Sequence, residues 1–125
     1  MNSDLHVIAE AGTNHNGRIE TAEGLVDAAI LAGADSVKFQ MIFPEGLYLP
    51  KLYTDGRLTD NAVFQKRLAS TLSDDAFRQL AAYCRQGGIL FSASVFDVRG
   101  IDLLCVDTGQ PFAHRPEVGA ETRLF

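Results

Sequence analysis

The sequence lacks any cluster of basic residues, which argues against a nucleic-acid-binding protein. Lys and Arg together number 11 against 16 Asp and Glu, so the 125 residues carry a formal net charge of −5. The basic residues are scattered, and no run of them predicts attachment to an anionic membrane surface. We therefore expect neither a nucleic acid nor a membrane as a partner.

Long apolar runs and cysteine motifs are also missing. The most apolar window, residues 28–34, is far shorter than the roughly 20 residues that span a bilayer. The opening residues, MNSD, have neither the basic region nor the apolar stretch of a signal peptide. Cys84 and Cys105 have no metal-ligand spacing. Reduced thiols, and hence a cytoplasmic protein, are expected, with a disulfide between the two as the alternative.

What the sequence does contain is an alternation of apolar runs and helical patterns. Residues 5–11 predict a buried strand. Residues 19–32 show apolar side chains at helical spacing up to Gly33, a residue typical of helix C-caps. Residues 36–41 predict a second strand close behind this helix. Strand, helix and strand in this order predict a βαβ unit with parallel strands.

The next segment, residues 42–60, contains two prolines and two glycines and predicts one long loop, a length that usually serves a site. A short helix is predicted over residues 62–69, and a longer one begins at the N-cap Ser73 and stops at Gly87 and Gly88. The inward-facing residues of the longer helix are predicted to be Phe77, Leu80, Ala81 and Cys84.

A third strand is predicted over residues 89–95, and Asp97 predicts the cap of a helix that runs through Cys105. Beyond this point the periodicity is lost. Alternating strands and helices indicate an α/β fold, and a closed eight-stranded barrel needs at least about 200 residues. The chain is therefore expected to be a fraction of a barrel or a small open α/β sheet.

Polar side chains recur near the C-terminal ends of the predicted strands, where sites of parallel α/β proteins lie. Alternation places Lys38 and Gln40 on one face of the second strand. Glu10 lies near the end of the first strand and Ser94 near the end of the third. Burying a Lys and a Glu on neighbouring strands costs free energy unless the two charges pair with each other or serve a functional site. Glu10 and Lys38 are therefore either a structural ion pair or site residues.

Three segments in combination resemble the sialic acid synthase family. They are IAEAGTNHNG at residues 8–17, AGADSVKFQ at residues 32–40 and CRQGGILFSASVFD at residues 84–97. The family typically shows IAE-x-G-x-NHNG, GAD-x-VKFQ and GI-x-F-x-S-T-P-F-D. The first two segments match closely, whereas the third has Ser94 in place of Thr and Val95 in place of Pro.

The resemblance implies a fold and an activity. The fold is a partial (β/α)8 barrel of the TIM type, with about three to four βα units in residues 1–106 and a divergent tail in residues 107–125. The activity is the condensation of phosphoenolpyruvate with an N-acylated hexosamine or its 6-phosphate, so both compounds are expected partners. A divalent metal ion, manganese or magnesium, is the expected cofactor, and it polarises the sugar aldehyde in the family.

The resemblance also implies roles for residues on the strands. Lys38 and Ser94 would bind the anionic groups of phosphoenolpyruvate, and Gln40 would bind a sugar hydroxyl. Glu10 would be the catalytic residue that orients water or moves a proton.

The loop over residues 13–17 has two interpretations. Its Asn-Gly sequence is a strong turn signal, and taken alone His15 is typical of an ordinary loop histidine. The resemblance instead implies that Asn14 and His15 shape the mouth of the barrel and contact the substrate.

Other parts of the family's site have no counterpart in this sequence. The family's metal-binding histidines lie on later strands, and no metal site can be assembled from these residues. The fourth-strand motif P-A-F-K-I-x-S-G-E corresponds to residues 111–115, PFAHR, which lack its Lys and its acid. We therefore expect a truncated synthase chain that is weak or inactive alone. A noncatalytic sugar- or anion-binding module and a self-associating structural fragment are the alternatives.

The open edges of a partial barrel predict self-association. Unpaired edge strands expose rows of backbone N–H and C=O groups. The strand faces that would meet the rest of a barrel are uncovered as well, and we expect Ile8, Phe91 and Phe96 to face water there. A homo-oligomer that pairs these edges is therefore expected.

Overall fold

The computed structural model describes residues 5–107, which form an α/β fold around a parallel sheet. The elements are β1 (Ile8–Gly12), α1 (Ile19–Leu31), β2 (Ser36–Met41), α2 (Pro44–Leu47), β3 (Lys51–Thr54), β4 (Arg57–Asp60), α3 (Ala62–Ala69), α4 (Asp74–Gly87), β5 (Leu90–Val95), α5 (Val98–Asp102) and a π-helical turn, Leu103–Asp107. Within this part of the chain, no helix is long and apolar enough to cross a membrane. The predicted α/β class is confirmed. The segment at 111–115 and nearly all of the predicted tail lie outside the described residues.

Three strands form the main sheet in the order β1-β2-β5, and both neighbouring pairs are parallel. Glu10 of β1 lies opposite Lys38 of β2, and a β-bulge after Glu10 brings Gly12 opposite Phe39. β5 pairs with β2 in register over its full length. The predicted βαβ unit is thereby confirmed, with α1 as the connection between β1 and β2.

Helices cover one face of this sheet and bury its apolar side chains. From β2, Val37, Phe39 and Met41 join the core, and each is at most 1% exposed. The residues predicted to face inward from α4 are buried in the same core, namely Phe77, Leu80, Ala81 and Cys84.

The expectation that Phe91 faces water is wrong. Alternation along β5 turns its ring to the helix-covered face, where it is 3% exposed. There it stacks on Phe39, with 6.0 Å between the ring centroids. Ile8 does face water and is 40% exposed, while Phe96 is half-buried.

The predicted helix caps are present. After α1, Gly33 adopts a left-handed φ of +78°, and its N–H donates to the Ile30 carbonyl at 3.0 Å. At the start of α4, the Ser73 hydroxyl accepts from the Ala76 N–H at 3.1 Å. Asp97 caps α5, but this α-helix ends at Asp102, and the predicted continuation through Cys105 is a π-helical turn instead. These caps fix where the chain leaves each helix and enters the next strand.

The prediction of one long loop over residues 42–60 is wrong, because a short helix and a β-hairpin occupy most of it. β3 and β4 pair through a two-residue turn in which Asp55 and Gly56 both have positive φ, 52° and 74°. All eight strand residues are exposed, so the hairpin has no buried apolar side that would mark it in a sequence. At its base, Asn61 donates to the carbonyls of Pro50 and Leu49 at 2.9 and 2.8 Å.

Candidate active site

The sheet face away from the helices carries the polar side chains, and we call it the open face. Its members are Ile8, Glu10, Ser36, Lys38, Gln40, Leu90, Ser92 and Ser94. Lys38 lies between Glu10 and Ser92, and Gln40 lies opposite Ser94 at the next level towards the C-terminal ends. Neighbouring strands are about 4.8 Å apart and same-face residues about 7 Å apart, so these groups share one small area. The structure thus brings four of the predicted site residues together.

Glu10 and Lys38 form an ion pair on the open face, with 3.0 Å between Oε2 and Nζ. The Lys38 side chain is 23% exposed and that of Glu10 is 50% exposed. An ion pair with this much contact with water contributes only about 0–1 kcal/mol to stability. Breaking the pair therefore costs little free energy, and a ligand can replace either partner.

The serines on β5 differ in their hydrogen bonding. The Ser92 hydroxyl donates to the Val37 carbonyl at 3.2 Å, which ties its side chain to the neighbouring strand. The Ser94 side chain makes no such bond among residues 5–107. It lies opposite Gln40, near the C-terminal end of the pairing between β2 and β5. Below them, towards the N-terminal ends, Ile8 and Leu90 give the open face an apolar part and are 40% and 50% exposed.

His15 lies in a different environment from these residues. Its side chain is 1% exposed, and its ring centroid is 6.2 Å from that of Phe39, whose ring belongs to the helix-covered side. Nδ1 accepts a hydrogen bond from the Gly17 N–H at 2.9 Å, which places the ring proton on Nε2. Nε2 is buried and has no partner within residues 5–107. Burial lowers the pKa of His15 below its usual 6.5.

The loop around His15 is fixed at both ends. Asn14 is exposed, and its backbone N–H donates to the Ala11 carbonyl at 3.2 Å. Gly17 has a φ of +76°, and a Cβ added there would lie 3.1 Å from the Ala69 carbonyl oxygen. The structure does not bring His15 to the open face, and a substrate contact by its ring stays a prediction that this geometry does not support. Asn14 remains accessible to a ligand, and its predicted contact is untested.

Metal ligands do not come together in the described part of the chain. Within residues 5–107 no three His, Cys, Asp or Glu side chains are arranged to hold a metal ion. The residues present therefore do not fit the metal that the family resemblance implies. We assign no step of the chemistry to a metal on these residues.

A cavity of about 350 Å³ lies beside the N-terminal end of α4, apart from the open face. Arg99 of α5 lines it, with its guanidinium carbon 4.0 Å from the centre of the Phe43 ring and Nη2 3.0 Å from Asp74 Oδ1. No sequence pattern predicts this cavity, because its lining comes from distant segments. Both arginines that line it pair with acids: Arg99 also lies 3.9 Å from Glu45, and Arg78 pairs with Asp75. The cavity therefore offers less free charge than its composition indicates.

The fold and the open face define the class as an α/β protein with a polar site at the C-terminal ends of parallel strands. A sequence profile of the NeuB family matches residues 25–113. The chain belongs to the NeuB family, which confirms the resemblance to sialic acid synthases.

Two curated relatives show how this chain aligns within the family. The spore coat polysaccharide biosynthesis protein SpsE of Bacillus subtilis (strain 168) is 37% identical over 102 residues, which cover 80% of this chain and 27% of SpsE. The N,N'-diacetyllegionaminic acid synthase of Campylobacter jejuni is 33% identical over 103 residues, 78% of this chain and 31% of that enzyme. The chain thus spans about a quarter to a third of the length of these relatives.

A solved structure gives the same alignment. The N-acetylneuraminic acid (sialic acid) synthetase from Leptospira borgpetersenii serovar Hardjo-bovis, in complex with citrate, matches 86% of this chain with a TM-score of 0.66 and 27% identity. The match covers 35% of that protein. The likeness extends over most of the elements around the sheet.

Proposed function

We propose that this chain forms the N-terminal part of a phosphoenolpyruvate-dependent synthase barrel. β1, β2 and β5 would be the first three strands of a (β/α)8 barrel, and the open face would line its interior. The family membership and the sheet order β1-β2-β5 support this proposal. The boundary between a barrel part, residues 1–106, and a divergent tail, residues 107–125, belongs to the same proposal.

The proposed reaction joins phosphoenolpyruvate to an N-acylated hexosamine or its 6-phosphate. Lys38 would bind an anionic group of phosphoenolpyruvate as a compact positive charge, and the Ser94 hydroxyl would donate to the same ligand. Gln40 would hydrogen-bond a sugar hydroxyl. Glu10 would orient the water that adds to the phosphate-bearing carbon, or accept its proton.

One observation carries this proposal, namely that three different strands bring an acid, a base and two hydrogen-bonding groups to adjacent levels of one open face. A structural role explains only part of this set. Ser92 bonds the neighbouring backbone, and Glu10 pairs with Lys38. The side chains of Gln40 and Ser94 have no such structural bond among those of residues 5–107 and are suited to bind a ligand.

The 125-residue chain alone is expected to have no measurable synthase activity, because the described residues supply neither metal ligands nor a second anion-binding lysine on the open face. The measurement is phosphate release with phosphoenolpyruvate, N-acetylmannosamine and manganese. Release that requires both substrates and disappears in Lys38→Ala would contradict this expectation.

Ligand binding tests the site itself. In NMR titrations of the chain with phosphoenolpyruvate, the amide signals of residues 10–12, 38–40 and 92–94 should shift. The shifts should be lost in Lys38→Ala and kept in Lys51→Ala, which removes an equally charged side chain from the exposed hairpin. Equal loss in both variants would refute the assignment of Lys38. Sugar binding without any binding of phosphoenolpyruvate would favour the alternative, a noncatalytic sugar-binding module.

Self-association is the second part of the proposal. Among residues 5–107, β1 and β5 each pair with a strand on one side only. Their outer edges therefore present backbone hydrogen-bonding groups that another chain can pair. We propose a homo-oligomer that uses these edges.

A further inference from the structure

We infer that Glu10 is an internal competitor for the anion site at Lys38, so that an anionic ligand binds only by displacing the Glu10 carboxylate. The ligand class is a small phosphorylated carboxylate, of which phosphoenolpyruvate is the proposed example. The inference rests on the proposed function, because it takes Lys38 as the anion contact.

The geometry of Lys38 supports this competition. Its ammonium lies 3.0 Å from Glu10 Oε2, and Glu10 is its only ion-pair partner within residues 5–107. On the other side, Ser92 directs its hydroxyl proton to the Val37 carbonyl and not to an incoming anion. The position of Lys38 on the central strand, with its side chain only 23% exposed, leaves the anion few directions of approach. The carboxylate of Glu10 therefore occupies the place that an anion needs.

The charges on the open face lead to the same conclusion. One Lys and one Glu cancel, so the free open face has no net charge to attract an anion. When an anion takes Lys38, the Glu10 carboxylate loses its partner and lies beside a like charge, which repels it. Anion binding thereby releases Glu10 from its ion pair. The released carboxylate is the group that the proposed reaction uses to orient water.

The chain contains a matched control for this inference. Lys51 and Asp60 form an ion pair at 2.8 Å in the exposed hairpin, which lies outside the open face. Glu10→Gln and Asp60→Asn each remove one negative charge, so both variants have the same net charge. Any difference between them reports the position of Glu10 and not the overall charge of the protein.

The experiment measures the dissociation constant of phosphoenolpyruvate by NMR titration of the full chain at fixed ionic strength. Glu10→Gln should bind roughly twofold to fivefold more tightly than the unmodified chain, because a partly exposed ion pair no longer competes. Asp60→Asn should bind as the unmodified chain does, and Lys38→Met should not bind. Circular dichroism of each variant checks that its fold is retained.

The alternative outcomes separate this inference from the proposed function. Unchanged or weaker binding in Glu10→Gln, with binding still lost in Lys38→Met, overturns the competition and leaves the anion site in place. Equal tightening in Glu10→Gln and Asp60→Asn shows a general charge effect and also overturns it. An absence of binding in the unmodified chain and in Glu10→Gln refutes the anion site together with the inference.

Discussion

Replacing Gly17 by Ala tests how the loop between β1 and α1 is held in place. Gly17 has a φ of +76°, a conformation that glycine adopts without strain and other residues rarely adopt. An added Cβ would lie 3.1 Å from the Ala69 carbonyl oxygen and 3.1 Å from the Ser70 carbonyl carbon. Both neighbours are backbone atoms at the end of α3, so they cannot rotate away. The substitution should therefore strain the loop and also push it away from α3.

Gly33 provides the reference for the first of these two effects. It has nearly the same φ, +78°, but a Cβ added there meets no atom within 4 Å. Gly33→Ala should therefore lower the free energy of unfolding only by the strain of a positive φ in alanine, about 1 kcal/mol. Gly17→Ala should lower the free energy of unfolding by the same amount and by roughly a further 1–3 kcal/mol, because its Cβ is pressed against backbone atoms. The expected difference of about 1–3 kcal/mol is large, because domains of this size have only about 5–15 kcal/mol of stability in total.

Urea denaturation followed by far-UV circular dichroism measures both variants under the same conditions. The difference in midpoint between the two variants, multiplied by the common slope, gives the packing contribution alone. Equal destabilisation by the two substitutions would show that the loop is not packed tightly against α3, which would contradict the expected overpacking at Gly17. A change in slope for one variant would instead indicate an altered unfolded state.

Three further predictions concern His15, Cys84 and assembly. Burial lowers the pKa of His15, so the unfolded chain takes up the proton first, and the free energy of unfolding should decrease as the pH falls below about 6.5. His15→Gln should weaken this dependence, and an unchanged pH profile would contradict the assignment. Burial raises the pKa of the Cys84 thiol to about 12, so it should resist Ellman's reagent at pH 8 in the folded chain and react in urea. Rapid reaction of both cysteines without denaturant would show that the core around α4 opens easily. Light scattering at low micromolar concentration should give a homodimer or larger assembly, and a monomer with cooperative unfolding would disprove the role of the open edges.

The main sheet and its helices follow from local sequence patterns. β2 has the bounds that the sequence predicts, because its alternating residues from Ser36 to Met41 are flanked by a helix-ending glycine and by a proline. α4 was predictable for the same kind of reason: a serine cap, acids in the first turn and apolar residues at helical spacing. Alternation also predicts that Lys38 and Gln40 share a face. Their neighbours on β1 and β5 depend on register, which no local pattern gives.

Two features could not be predicted from local patterns. The hairpin of β3 and β4 buries none of its strand residues, so the alternation of apolar and polar residues that usually identifies a strand is absent. The Asp-Gly pair at residues 55–56 was a usable signal for its turn, and the prediction of a long loop overlooked it. The burial of His15 arises from contacts with Phe39 and with its own loop, which are visible only in three dimensions.

The base of that hairpin has a practical consequence. Asn61 bonds the carbonyls of both Leu49 and Pro50, so the chain enters and leaves the hairpin at nearly the same point. Lengthening a segment with joined ends costs little, about 0.6 kcal/mol for each doubling of its length. The turn at Asp55 and Gly56 can therefore accept a grafted peptide or a fluorescent label without disturbing the core.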